Sequence, residues 1–448
     1  MKKPRFASEL ASRLLSEYGM IGVLLLLCIY FSLTTIKEQF PEGSAAAEDI
    51  SDSISGRLDK DEYIVIIGKR TGEDSAFIEN LKNSLENKGY SAIKTITGDP
   101  LDVRRGLADF SIMGKPARAV ATTEGYSRIV KKITEDFPVF KKSEFLFPRS
   151  YTWPTFLLPA NLLNIANQIV VIAIIAIGMT MVIITGGIDL SVGSLVAFSA
   201  VLTAWFIQQF GGTGAGVMGM IGASLGAVLL CGAVGAFSGI MVTRFKLPPF
   251  IATLGVMQVA SGIAYIISQG KPIYKIPDSF TALGRGAEPF FSIPYAVILM
   301  IVLYAAANVL MSRTVLGRYI YAVGGNDEAA RLSGVRVSRI LIFVYITSGI
   351  MAGLGGVITA SQLKSGAPTY GLSYELYVIA AVVVGGTSLS GGEGKIFGTL
   401  IGAFIIAVIQ NGMNLTNVES YTQKVILGGV IIAAVLLDRL KQKKIKGT

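Results

Sequence analysis

The sequence predicts an all-α polytopic membrane protein of about ten transmembrane helices, into which a small α/β (βαβαβ) domain is inserted. Three observations predict it. Hydrophobic residues make up 52% of the 448 positions against 16% charged, and the mean hydropathy is +0.58, the composition of a chain solvated largely by lipid. Ten apolar runs, each near the ~20 residues that cross a bilayer core, lie at 18–36, 163–185, 190–210, 217–243, 248–268, 293–312, 339–363, 374–390, 396–414 and 422–438. Residues 38–150 break the pattern: they carry 19 of the 30 acidic side chains and leave 11 for the other 335 positions. One chain therefore meets two solvents.

The first run follows a basic start (Lys2, Lys3, Arg5, Arg13), as a secretory signal would. It is long enough to span and lacks a small-x-small cleavage site, so residues 1–37 read as a cytoplasmic tail and a retained first helix. In the polar block, Tyr63–Gly68 (YIVIIG) reads as a buried strand, 74–88 as an amphipathic helix stopped by Gly89, 90–97 as a second strand, 102–110 as a second helix and 117–123 as a third strand. This order favours a small parallel sheet, roughly half of a doubly wound fold. The turn after the first strand, GKRTGED, is neither G-x-G-x-x-G nor a P-loop. A structural or docking module is expected rather than an enzyme. Residues 39–60, small and acidic, read as a flexible tether, and residues 137–160, with Pro138, Pro148, Pro154 and Pro159, as a stiff return to the membrane. The domain plan is thus 38–150 as an extracytoplasmic insertion with flanking linkers, 151–438 as the transmembrane domain and 439–448 as a basic cytoplasmic tail.

Orientation follows from charge. With the N-terminus inside, the inner segments hold 17 Lys and Arg and the short outer loops hold five, which places both termini in the cytoplasm and the insertion outside. The 17 basic residues of the insertion itself are no objection, since long hydrophilic domains translocate largely regardless of charge. A net charge of +10 and a pI near 9.4 arise from basic residues at the edges of apolar runs, so orientation rather than nucleic acid is their reading. The chain has no His, and its two cysteines, Cys28 and Cys231, lie inside apolar runs. That removes zinc sites, Cys–His nucleophiles and a disulfide framework; no metal ligands and no catalytic set are expected.

Chemistry concentrates in three stretches. The basic loop 312–339, SRTVLGRYIYAVGGNDEAARLSGVRVSR, contains Glu328, Ala329 and Ala330 followed by Gly334. This spacing makes a short helix from Asp327, with Asn326 as N-cap and Gly334 as the breaker. At the cytoplasmic face such a helix either transmits force from a partner or is simply an ordinary loop helix. The second stretch, Gly186-Gly187-Ile188-Asp189-Leu190-Ser191-Val192-Gly193, interrupts an apolar region, and its paired glycines imply broken helices. The third, Gly385-Gly386-Thr387-Ser388-Leu389-Ser390-Gly391-Gly392, echoes it without gaps 199 residues later in the pattern G-G-x-x-L-S-x-G, which suggests duplication. Asp189 has two readings, a cap at the start of a helix, which is favoured, and a contact to solute.

Together these segments resemble the permeases of the ribose, xylose, arabinose and galactose class of ATP-driven (ABC) importers, over about residues 161–440. The resemblance implies an α-helical bundle working as a homodimer or pseudosymmetric pair, with a translocation path at the subunit interface. It also implies a separate ABC ATPase that docks on Asn326, Asp327, Glu328, Ala329, Ala330 and Gly334, and an extracytoplasmic sugar-binding protein. The 38–150 insertion departs from the family pattern and is expected to aid docking of that binding protein rather than to bind solute. Leu389-Ser390-Gly391-Gly392-Glu393 mimics an ATPase signature, but no Walker A sequence occurs in the chain. Accordingly no cofactor is expected on this chain, and ATP is used by the partner subunit. Asn164, Asn167, Gln168, Gln362, Glu375, Asn411 and Asn414, with Asp189 and Ser191, are candidates for the path, because polar groups facing lipid are costly. Helix–helix hydrogen bonding is the alternative for each. Two other functions stay open: a proton- or ion-coupled secondary transporter, for which Asp189 and Glu375 are the available intramembrane acids, and a receptor that senses through residues 38–150.

Overall fold

The computed structural model describes the backbone of residues 5–446 and the side chains of residues 19–436. The basic start and the tail 439–448 read from the sequence lie outside the side chains described. The chain divides into two compact units, Met1–Thr35 with Phe156–Thr448, and Ile36–Thr155.

After α1 (Arg5–Thr34), the second unit begins with β1 (Ile36–Gln39) and α2 (Gly43–Ile54). It continues as β2 (Tyr63–Gly68), α3 (Glu73–Asn87), β3 (Ile93–Thr97), α4 (Pro100–Ile112), β4 (Ala117–Thr122), α5 (Glu124–Thr134), β5 (Glu144–Leu146) and β6 (Tyr151–Pro154). Four strands form a parallel sheet in the order β3-β2-β4-β5. The apolar run of β2 is continuous because both faces are covered: Ile64 and Ile66 pack with α2 and α3, whereas Val65 and Ile67 pack with α4 and α5. The segment 39–60, expected to be a loose tether, is instead anchored. Ala46, Ala47, Ile50 and Ile54 stand on one face of α2 and are buried against Phe77 and Leu81. Its acidic residues lie away from that face, and composition averaged over the segment conceals the helical spacing. Outside the parallel sheet, β1 and β6 pair antiparallel, Ile36 opposite Pro154 and Gln39 opposite Tyr151.

The other unit resumes with α6 (Pro159–Ile184), α7 (Val192–Gln209), α8 (Val217–Arg244), α9 (Pro249–Ser268) and the single turn α10 (Ala282–Arg285). Then follow α11 (Tyr295–Arg313), α12 (Val315–Gly325), α13 (Asp327–Leu332), α14 (Val337–Leu363), α15 (Tyr374–Val384), α16 (Ile396–Leu415) and α17 (Ser420–Lys446). Among the described residues seven helices are long and apolar enough to cross a membrane, α6, α7, α8, α9, α11, α14 and α16; shorter apolar helices cover Gly19–Thr34, Tyr374–Val384 and Ser420–Leu436. The run expected at 374–390 stays helical only to Val384, because Gly386 takes a left-handed conformation (φ +85°).

A helix apolar on every face belongs in the interior, and α6 is the case in point, buried from Ile169 to Ile184. Beside it α14 runs close against α8. A Cβ on Gly235 would overlap the Tyr345 carbonyl, and one on Gly349 the Cys231 carbonyl; only glycine lets these backbones approach so closely.

Candidate functional site

Helix α6 ends in a Schellman cap: Gly186 N–H donates to Ile183 O (2.9 Å) and Gly187 N–H to Val182 O (3.0 Å), with Gly186 at φ +77°. Helix α15 ends the same way, Gly386 N–H donating to Val383 O (2.9 Å) and Thr387 N–H to Val382 O (3.1 Å). The equivalent cap residues, 186 and 386, are separated by one residue more than the ungapped match of the glycine pairs. Matching letters therefore do not mark matching positions here: the left-handed glycine is the first of its pair in one loop and the second in the other.

Beyond the caps the loops diverge. In the first, Asp189 is buried and both its oxygens are engaged. Oδ1 accepts from the Ser191 N–H (3.0 Å) and Ser191 Oγ (2.6 Å), and Oδ2 from Ser348 Oγ on α14 (2.7 Å). Thr253 of α9 holds the same loop, its Oγ1 accepting from Leu190 N–H (3.1 Å) and donating to Ile188 O (3.2 Å). This carboxylate thus ties the start of α7 to α14, and both of its oxygens are engaged in doing so. Close to Gly187 stands the hydroxyl of Tyr345, buried without a hydrogen-bond partner among the described residues.

The second loop presents backbone groups to its neighbours. Gly392 N–H donates to Ile184 O at the end of α6 (2.8 Å), and Tyr321 Oη on α12 donates to Gly394 O (2.8 Å). Gly324, also on α12, lies against both: a Cβ there would overlap Ile184 O and stand 2.7 Å from Gly392 N. Three separate glycine-bearing segments, at 184–187, 324–325 and 391–394, converge on one junction.

From that junction α13 projects. Asn326 caps it, Oδ1 accepting from Ala329 N–H (2.9 Å). Gly334 ends it at φ +85°, with Gly334 N–H donating to Arg331 O and Val335 N–H to Ala330 O (both 3.0 Å). Ala330 is buried, whereas Asp327, Glu328, Ala329 and Gly334 are exposed and Leu332 is 86% exposed. An apolar side chain held out on a capped single turn is an interaction feature that the motif alone did not reveal.

The remaining candidates do not form one cluster. Gln362 Nε2 approaches Asn167 at 3.4 Å (O) and 3.5 Å (Oδ1). Asn411 is buried in a reciprocal amide pair with Asn161 (3.1 and 2.8 Å), a partner missed because it precedes the apolar run. Asn164 and Gln168 are exposed, and so is Asn414, whose Oδ1 accepts from Gln423 (2.8 Å). Glu375 is half-buried in the first turn of α15, its carboxylate against Gly193. Among the described residues no group of His, Cys, Asp and Glu has metal-binding geometry.

Residues 161–435 match the family described as branched-chain amino acid transport system / permease component. The ribose import permease protein of Bacillus subtilis (strain 168) is 45% identical over 290 residues, 64% of this chain and 87% of that protein. Its counterpart in Escherichia coli (strain K12) is 43% identical over 293 residues, 64% of this chain and 88% of that protein. The D-allose transport system permease protein of the same strain is 40% identical over 288 residues, 64% and 86% respectively. No solved structure matches the chain. The glycine junction, α13 and most of the membrane helices all fall inside the matched residues, and on that extent the chain belongs to this permease family, as a multi-pass membrane transport component and not an enzyme.

Proposed function

We propose that this chain is the membrane subunit of an ATP-driven importer of a monosaccharide, coupled to a separate ABC ATPase through Asn326–Gly334. The relatives named for ribose and allose import, with the L-arabinose transport system permease protein of Escherichia coli (38% identical over 290 residues), support the sugar class. The observation that carries the coupling role is α13 itself, capped at both ends, rooted on the three-loop junction and exposing Glu328 and Leu332. Force applied to such a turn passes directly to the ends of α6 and α15. A proton relay is less well supported, since both oxygens of Asp189 already accept hydrogen bonds.

The proposed topology has ten spans, both termini cytoplasmic and residues 38–150 outside. Two sets of contacts support it. Loops 312–339 and 385–395, assigned inside by their basic residues, converge at the junction with loop 186–191, which the alternation of spans assigns to the same side. The segments assigned outside also meet: Ile273 pairs with Gly366, Arg285 Nε donates to Gln362 O (2.5 Å) and Lys364 pairs with Asp278. An extracytoplasmic sugar-binding protein, a second permease copy and membrane lipid complete the proposed set of partners. The exposed apolar faces of α8, α9 and α11 suit the last two. Asn167, Gln362 and Asn411, each partnered or buried toward the outer half of its helix, remain the path candidates, with Gly186, Gly187, Gly385 and Gly386 as helix breaks that accommodate movement.

Replacing Glu328 with Ala together with Gly334 with Val tests the reading. Uptake and stimulation of the partner ATPase should fall at least tenfold while membrane insertion stays normal. Sugar uptake undiminished in cells lacking every partner ATPase would sink it.

A further inference from the structure

In the α/β unit the connection β2–α3–β3 lies on one face of the sheet and β3–α4–β4 on the other, as the two cores require. The strand order therefore reverses between β2 and β4. The loops leaving these neighbouring strands must part toward opposite faces, and a crevice is left outside their carboxyl ends, the place where open α/β sheets bind ligands. A cleft of about 500 Å³ occupies that position, lined by Lys69, Thr71, Glu73 and Asp74 after β2, Thr123 and Glu124 after β4, and Phe40 and Glu42 between β1 and α2. Its volume falls within the range of small-molecule sites.

The cleft is built rather than accidental. Asp74 ties the two loops together, Oδ1 accepting from Thr123 Oγ1 (2.9 Å) and Oδ2 from Lys69 N–H (3.2 Å). Among the described residues Lys69, Glu42, Glu73 and Glu124 make no ion pair, although six ion pairs are formed elsewhere in this unit.

Charge selects the ligand class. Glu73 and Asp74 occupy the first turn of α3 and Glu124 that of α5, so both helix N-termini already face carboxylates and a phosphate would be repelled. Burial first, and then the charges of Asp99, Asp74 and Asp102, hold the Tyr126 phenol above its usual range, in keeping with a negative field at these strand ends. Carboxylates accept hydrogen bonds from adjacent hydroxyls, Lys69 and Thr71 donate to ring or hydroxyl oxygens, and half-buried Phe40 offers an apolar ledge for C–H groups.

We propose that this cleft binds an uncharged polyol, a monosaccharide, so that the α/β unit recognises solute itself rather than serving only as a docking module. The inference rests on the sugar-permease reading given above. Full-length protein in lipid nanodiscs, without partner proteins, is titrated calorimetrically with D-ribose, D-allose, L-arabinose and, as a cationic probe, spermidine. One of the sugars should bind saturably. The double variant Glu73→Ala/Glu124→Ala, and separately the charge-neutral Phe40→Ala, should each weaken that binding at least tenfold, with Glu79→Ala on the exposed side of α3 unchanged. Binding untouched by these variants, binding of spermidine alone, or no sugar binding by a protein that still imports one of these sugars in cells overturns the inference while the permease reading stands. Failure to import any sugar in cells supplied with ATPase and binding protein removes the permease reading instead.

Discussion

The two glycine loops begin alike and end differently. Both close a helix with the same cap, but the loop after α6 brings its own buried carboxylate, Asp189, to bear, with Thr253 holding its backbone, whereas the loop after α15 offers backbone groups, Gly392 N–H to Ile184 O and Gly394 O to Tyr321 Oη. Side-chain anchoring makes the first a post: it binds the start of α7 to α14 by buried hydrogen bonds and its loop to α9 by part-buried ones. Backbone anchoring makes the second a seat, on which Gly324 and the root of α13 rest with no side chain between. A similar sequence has thus been given two mechanical tasks by what stands two or three residues past the glycines.

The largest effect that would break this contrast is Asp189→Ala. It leaves Ser191 and Ser348 without their buried acceptor, and hydrogen bonds to a charged group are worth about 1.5–3 kcal/mol each. A loss of about 4 kcal/mol is expected, read as a collapse of the thermal transition in detergent; an unchanged transition would mean the post is not a post. Gly324→Ala comes next. Its Cβ overlaps Ile184 O, and overpacking of this kind costs about 1–3 kcal/mol. Here uptake should fall far more than the transition temperature, since the defect lies where α13 is seated. Smallest is Tyr321→Phe, which removes only the hydrogen bond to Gly394 O. About 1 kcal/mol is expected, with coupling between ATP hydrolysis and uptake loosened rather than lost, measured as a lower ratio of sugar transported to ATP consumed.

Much of the seat was legible as words and not as an assembly. GGIDLSVG, GGTSLSGG and the loop around Asn326 each stand out in the chain, because in them glycines stand beside polar residues and interrupt apolar runs. Their convergence is not legible, since nothing in the letters states that Gly324 touches Ile184, 140 positions earlier. The one-residue offset between the loops escaped for a related reason: Thr185 and Thr387 flank the glycine pairs on opposite sides, and only φ angles say which glycine is left-handed. Polar residues in the spans were the least readable. Asn411 finds an amide partner, Asn161, while Asn164 and Gln168 on the same α6 face outward, a distinction of helix rotation that hydropathy does not carry. In the α/β unit β2, β3 and β4 and their order were readable from β-rich runs, whereas the short strands β5 and β6 fall in the stretch 137–160 read as a stiff return, because three- and four-residue strands beside prolines leave little pattern; α2 was not readable either, because alanines at helical spacing look like linker when read as composition.

The short ribbon of β1 with β6 has a consequence for how such a chain arises. Paired residues of an antiparallel ribbon lie only about 5 Å apart, so the insertion departs and returns through a doorway one strand pair wide. The flanking residues Thr35 and Phe156 are themselves joined, Phe156 N–H donating to Thr35 Oγ1 (3.1 Å). Gln39 and Tyr151 could be linked by a tight two-residue turn, leaving an ordinary hairpin in place of a folded domain. The two chain ends that removal of residues 40–150 would have to rejoin therefore already lie side by side.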